Sequence, residues 1–378
     1  MKIKNLILLL IGIIFLSACS KLTKATDIFT NPTARELYKR DFVTDTIQFN
    51  IWQQAYKNAF ADSLSIKLPY LEEGHYFTNS DAVYSYNVKL DQGEVFHLEA
   101  VTDTVATKVF LELYKRTDDS LNTYQSIARS DLKDKELHYT VENSGDYKVI
   151  IQPEIQANTN FALKAYRTPM YHFPVVGKGN AAIQSFWGAS RDAGARRHEG
   201  LDIFAPRGTP VVAATDGWIS STGDRGLGGK QVWLRAGLWG NSLYYAHLDS
   251  IASTQGQHVK TGDTLGFVGN TGNARTTPTH LHFGIYRGRG GAINPLPYVF
   301  EGTAPLASTD VQKDIHEKIV VKSSRANLRN SAFAKAKKIG EAARRDTLEL
   351  LGRSASWLHI RTADAQDAFI HESLVQGI

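Results

Sequence analysis

The sequence predicts a mostly β, multidomain protein, and three observations carry that prediction. The chain has 378 residues, 42% hydrophobic and 21% charged, which is enough for two or three hydrophobic cores. Between about Tyr76 and Arg167 apolar residues recur with a period of two, the pattern of strands half-buried in a sheet. From about 180 to 300 the chain breaks into short apolar runs punctuated by glycine, as tight β turns require.

Lys2 and Lys4 precede an apolar run from Leu6 to Leu16. Eleven residues fall short of the ~20 that span a bilayer as a helix, but they suit the core of a secretory signal. The run ends in Leu16-Ser17-Ala18-Cys19, which resembles a bacterial lipobox. The resemblance implies cleavage after residue 18, a lipid anchor on Cys19, and a protein of the cell envelope facing the periplasm or cell exterior. Cys19 is the only cysteine, so intrachain disulfides and multi-thiolate metal sites are excluded. A net charge of +5 favours anionic surroundings. Nucleic acid is not an expected partner for an exported, membrane-anchored chain.

Residues 19–75 read as anchor, linker and helices. Asn31 and Pro32 are placed as N-cap and first residue of one helix. In the next, Ile51, Trp52, Tyr56, Ala59 and Phe60 recur at helical spacing, a face for packing on the following domain. Residues 76–168 predict a β-sandwich. Tyr84, Tyr86, Val88 and Leu90 alternate before an Asp91-Gln92-Gly93 turn; Val109, Leu111 and Leu113, then Leu137, Tyr139 and Val141, then Tyr147, Val149 and Ile151 repeat the pattern. The ending "NSGDYKVIIQPEIQANTNFALKAY" resembles the pre-peptidase C-terminal domain, which implies a jelly-roll-like accessory module. "YHFPVVGKGN" reads as a linker into the domain at 178–300, and residues 301–317 as a linker out of it. Asn327-Leu328-Arg329, Trp357 in "SWLHIR" and the closing "AFIHESLV" resemble a bacterial SH3-like domain at 318–378. That implies a small barrel, either structural or able to bind wall peptides.

The informative polar groups lie between 180 and 300. "RRHEGLDIFAP" sets His198 and Asp202 four apart around Gly200, and its exit through Ile203-Phe204-Ala205-Pro206 favours a loop entering a strand. "LYYAHLDS" supplies His247 at the end of an apolar run. In "THLHFGIY" Leu281, Phe283 and Ile285 share one strand face, so His280 and His282 project together from the other. By themselves they are two polar residues on a wet face, two ligands of one metal, or one ligand beside one catalyst. "GDRGLGGKQ" is not a Walker A loop, because Asp224 stands where glycine is needed and Gln231 where Ser or Thr is needed. It reads as a turn bordering a groove. Asp216-Gly217 reads as a hairpin signal.

Taken together, "FWGASRDAGARRHEGLDIFAP", "TDGWISSTG", "YYAHLDSI", "GQHVKTGDTLGFVGNTGNARTTPTHLHFGIYRG" and "INPLPYV" resemble the lysostaphin/LytM-type zinc metallopeptidases, which cut peptide bonds in peptidoglycan. The likeness spans Phe186 to Tyr298. It implies an antiparallel β catalytic domain with His198, Asp202 and His282 as ligands of one Zn2+, and His247 and His280 as the catalytic pair. Two histidines and an aspartate match the ligand count and type of a catalytic zinc with one open position. Zinc bound so lowers the pKa of water from about 15.7 to about 7. The glutamate base of an HExxH motif is missing, because "HEGLD", "HEKIV" and "HESLV" all lack the second histidine. Glu199 is therefore read as exposed beside the site, and the two histidines take the proton and oxyanion roles.

The implied function is a membrane-anchored zinc endopeptidase acting on peptidoglycan stem peptides or cross-links. The alternatives are a non-catalytic LytM-type activator of cell-wall amidases and a wall-binding lipoprotein. Arg196, Asn241, Tyr244 and Asn270 are read as surface or framework residues, and His258, His316, His359 and His371 as structural or solvated.

Overall fold

The structure is a computed structural model and describes residues 30–42, 46–118, 123–237, 240–302 and 317–377. The expected signal segment, Cys19, His316 and most of the 301–317 linker lie outside these residues. Strands dominate, as expected. Among the described residues no helix is long and apolar enough to cross a membrane.

Two short helices lead in. The Ala34–Lys39 helix is capped by Thr33, not Asn31: the Thr33 hydroxyl accepts from the Glu36 amide at 3.1 Å and the Glu36 carboxylate from the Thr33 amide at 2.6 Å. This reciprocal capping box outcompetes an Asn-Pro start. The Thr46–Asn58 helix buries Phe49 and Trp52 against Tyr38 and Phe110. The Trp52 indole donates to the Pro153 carbonyl at 2.8 Å. Ile51, expected on this inner face, is 53% exposed, one residue round the helix from Trp52.

The alternating segments form two antiparallel sheets. One holds Tyr84–Leu90, Gly145–Pro153, Val109–Asp118 and Thr123–Arg129 in that order, and the other contains Tyr70–Tyr76, Thr159–Pro169, Glu94–Thr102 and Glu136–Thr140. Their inward residues share one core with Leu351, Trp357 and Phe369 of the C-terminal strands. The second sheet continues into the C-terminal unit, where Glu73 of Tyr70–Tyr76 pairs with Arg353 of Thr347–Ser354.

The segment expected as a linker at 171–180 is partly core, because Tyr171, Phe173 and Val175 alternate inward and Val175 bridges to Val211. The central sheet then runs His258–Val259, Gly217–Arg225, Gly229–Arg235, Ser242–Ala246, His280–Tyr286, Leu201–Phe204, Ile183–Ser185. A three-stranded sheet of Pro210–Val212, Thr264–Val268 and Leu248–Ile251 accompanies it. Asp216-Gly217 does not close a hairpin, since the strands on either side belong to these two different sheets. The Asp216 carboxylate instead accepts from the Thr261 amide at 2.8 Å and hydroxyl at 2.9 Å, tying two loops together. Leu281, Phe283 and Ile285 are fully buried beside Leu201, Ile203, Leu243 and Tyr245. That burial fixes which face of the sheet is left for chemistry.

Candidate active site

The uncommitted face of the central sheet floors a cleft of about 820 Å3 whose lining includes His198, Asp202, His247, His280 and His282. All five sequence-selected polar residues therefore reach one volume. Strand register does much of this. Asp202 is the direct antiparallel partner of His282, and Phe204 of His280, so opposed side chains lie on the same face. His198 comes from the loop entering the Leu201–Phe204 strand, as its glycine and proline neighbours suggest. Gly200 between them admits no side chain. A Cβ there would lie 2.6 Å from the Phe283 carbonyl and 2.7 Å from the His282 ring.

His247 reaches the cleft differently. Ala246 pairs with His282 and lines the cleft, while Tyr245 is fully buried in the core. Simple alternation would send His247 into the core as well. Its backbone leaves the strand at φ 63°, a left-handed conformation uncommon for a residue with a Cβ, and this turn sends the imidazole to the cleft. The His247 amide donates to Gly228 at 2.9 Å, anchoring the turn.

The donor atoms of three residues make a nearly equilateral triangle. His198 Nε2, Asp202 Oδ1 and His282 Nδ1 are each 3.0 Å from the other two, and they form the one metal-compatible His/Cys/Asp/Glu group found among the described residues. A tetrahedral centre with zinc–ligand bonds of about 2.0–2.1 Å has ligand–ligand edges of about 3.3 Å. The three donors fit it with a few tenths of an ångström of adjustment. His198 Nδ1 donates to the Phe186 carbonyl at 3.0 Å, which leaves its Nε2 lone pair directed at the triangle. Burial opposes ionisation of Asp202, but hydrogen bonds from His198 and His282 outweigh it and hold the carboxyl well below its usual range. Burial lowers the His282 imidazole, against the opposing pull of Asp202.

The other two histidines have matched tautomers. His280 Nδ1 lies 2.8 Å from the Pro278 carbonyl and His247 Nδ1 2.9 Å from the Thr271 carbonyl. A carbonyl only accepts, so each Nδ1 carries the proton and each Nε2 keeps its lone pair. Burial, reinforced by His282 and His280, pushes His247 down to about 4, so it is neutral at pH 7. His280 Nε2 is 3.9 Å from Asp202 Oδ1, just beyond the triangle.

The cleft also recruits residues beyond these five. Arg196 and Tyr244, read as surface or framework, line it, together with Arg191, Arg197, Arg225, Trp233 and Tyr286. Trp233 packs on Tyr244 and Tyr286 at 4.4 and 5.1 Å, giving one wall an aromatic surface. Tyr244 is pushed up to about 12 by burial and donates to Gln231. Asn241 instead donates to the Tyr171 hydroxyl at 2.9 Å and Asn270 accepts from Arg207 at 2.5 Å, both in framework roles. Glu199 is exposed at the rim and accepts from Tyr286 at 3.3 Å. Outside the cleft, His258 is exposed and His359 fully buried.

Residues 196–295 match Peptidase family M23. The chain is 34% identical over 138 residues to the L-Ala–D-Glu endopeptidase of Bacillus subtilis (strain 168), covering 34% of this chain and 42% of that one. It is 43% identical over 101 residues to the DD-carboxypeptidase/endopeptidase Mpg of Neisseria meningitidis serogroup B, covering 27% and 22%. A solved structure, the catalytic domain of the antimicrobial peptidase lysostaphin from Staphylococcus simulans, shares 30% identity over 30% of this chain and 88% of that one, with a TM-score of 0.28. The chain spans less than half the length of the two curated relatives. On the family match and the order of its three polar motifs, the central part of this chain is a LytM-type domain of peptidase family M23.

Proposed function

We propose that the chain is a zinc-dependent endopeptidase that hydrolyses peptide cross-links of peptidoglycan from a membrane anchor at Cys19. The observation that carries this reading is the 3.0 Å triangle of His198, Asp202 and His282 lying beside two histidines whose Nδ1 atoms are held by backbone carbonyls. Zinc held by that triangle would supply Lewis acidity toward the scissile carbonyl and acidify water. The protein's own residues do the rest. His247 and His280, each fixed by a backbone carbonyl, accept a proton at Nε2 and return it to the leaving amine, or hydrogen-bond the developing oxyanion in the protonated form. The aromatic wall of Trp233, Tyr244 and Tyr286 offers an apolar face to an extended peptide. Arg196, Arg197 and Arg225 in the lining suit the free carboxylates of stem peptides.

One of these curated relatives is named as an L-Ala–D-Glu endopeptidase and the other as a DD-carboxypeptidase/endopeptidase. A complete donor set argues against the amidase-activator alternative, which requires no metal. We further assign the paired sheets before the central domain to a jelly-roll-like accessory module and residues 318–378 to an SH3-like barrel that contacts the wall.

Purified peptidoglycan incubated with the zinc-loaded protein and resolved by mass spectrometry is expected to release peptides cut at one type of bond. That bond distinguishes D,D-cross-link cleavage from cleavage within the stem or at a glycyl bridge. Uncut cross-links after treatment with protein carrying one zinc per chain would overturn the reading. Mass spectrometry of the membrane-extracted chain is expected to show a lipid adduct that Cys19→Ser abolishes.

A further inference from the structure

We propose that Arg191 is a positioning residue of the metal centre, holding the outer oxygen of Asp202 so that the carboxylate presents Oδ1 alone to the metal. The inference rests on the zinc reading of His198, Asp202 and His282, and extends it to a residue outside that set.

Arg191 lies in the short hairpin of Ser190–Arg191 and Arg196–Arg197, next to the cleft. Its Nη2 donates to Asp202 Oδ2 at 2.6 Å and to Ser185 Oγ at 2.7 Å. Ser185 is itself the strand neighbour of Asp202 on the side away from His282. The two carboxylate oxygens are thereby divided. Oδ1 faces His198 Nε2 and His282 Nδ1, both at 3.0 Å, and Oδ2 faces the guanidinium. The Ser185 hydroxyl also lies 3.4 Å from His198 Nδ1, so one brace touches the surroundings of two metal-binding residues. The Asp202 side chain is 11% exposed and that of Arg191 33%, which leaves water little part in fixing the carboxylate.

Two effects of this arginine oppose each other. A guanidinium near a dication disfavours the dication through charge, so a role of charge alone predicts tighter zinc binding when Arg191 is removed. Fixing the carboxylate lowers the cost of arranging the three donors, so a positioning role predicts weaker binding. A carboxylate freed from Arg191 can also turn both oxygens toward the metal and add a fifth donor beside the water.

The test is zinc affinity of the full chain, measured by chelator competition, with visible absorption of the cobalt(II) form as a second readout. Arg191→Ala is expected to weaken zinc binding about 10- to 100-fold and to change the cobalt spectrum from a four- toward a five-coordinate pattern, a change that loss of general stability would not produce. Ser185→Ala keeps the guanidinium but removes its brace, and is expected to move affinity the same way by a smaller factor. Wild-type or tighter affinity in both variants, with an unaltered cobalt spectrum, overturns the proposal. Failure of the wild-type chain to bind one zinc overturns the metal reading itself, and is distinguished from the first result by that measurement alone.

Discussion

At Gly200 a single hydrogen in place of a side chain decides whether the site can close. A Cβ at 2.6 Å from the Phe283 carbonyl and 2.7 Å from the His282 ring must displace one of them. Gly200→Ala is therefore expected to weaken zinc binding and to cost about 1–3 kcal/mol of stability, read by chelator competition and denaturant unfolding. Under the proposed function the five polar residues divide by role. His282→Ala and Asp202→Ala should lose zinc and hydrolysis together. His247→Ala and His280→Ala should keep most of the zinc while turnover falls about 10²–10⁴-fold; full turnover in both would refute the assigned proton chemistry. These residues were legible because each stands in a short motif with its own glycine or alternation. Arg191 was not, since an arginine in "ASRDAGARR" carries no sign of the carboxylate it will meet.

At the scale of elements, the His280–Tyr286 strand separates stability from chemistry by face. Phe283 is fully buried and packs edge-on against Tyr245 at 5.3 Å. Phe283→Ala should destabilise the central domain by about 3–5 kcal/mol, measured by denaturant unfolding, and lose activity only through loss of fold. The period-two pattern made this legible, and with it the projection of His280 and His282 from the opposite face. The same logic fails one strand away. Alternation sends His247 inward, and only the left-handed turn at φ 63° returns it to the cleft. Asp216-Gly217 fails for a related reason, since a dipeptide that favours a tight turn does not reveal whether its flanking strands pair.

Across the whole molecule, the C-terminal strands are built into the accessory sheets. Fully buried His359 pairs with fully buried Glu72 at 2.8 Å, and the Tyr70 hydroxyl donates to the same carboxylate at 2.6 Å, with Tyr86 a further donor. Burial alone would lower the His359 imidazole, but Glu72, through charge and hydrogen bond, outweighs it. Asp367 adds to that pull, Arg361 opposes it, and the net shift is upward. A raised folded value makes the stabilisation complete below the unfolded histidine value of about 6.5 and removes it as pH climbs through the folded value. Thermal midpoints of the wild-type chain should therefore fall as pH rises above about 6.5, and this component of the fall should vanish in Glu72→Gln. His359→Ala removes the carboxylate's counter-charge, leaving it only the two tyrosine hydroxyls, and should cost about 3–5 kcal/mol, measured by denaturant unfolding. In the sequence His359 is no more than structural or solvated, because nothing near it in the chain names a partner 287 positions away.

The mostly β character, the faces of the alternating strands and the five polar residues that line the cleft are all written into the order of the residues, because period and local motif are properties of neighbours along the chain. What depends on distant backbone emerges only on folding. Register sets Asp202 opposite His282, a strained turn delivers His247, Arg191 reaches across to Asp202, and the C-terminal strands extend the accessory sheet. Each of these is fixed by pairing and packing between segments far apart in sequence, where local preference has no say.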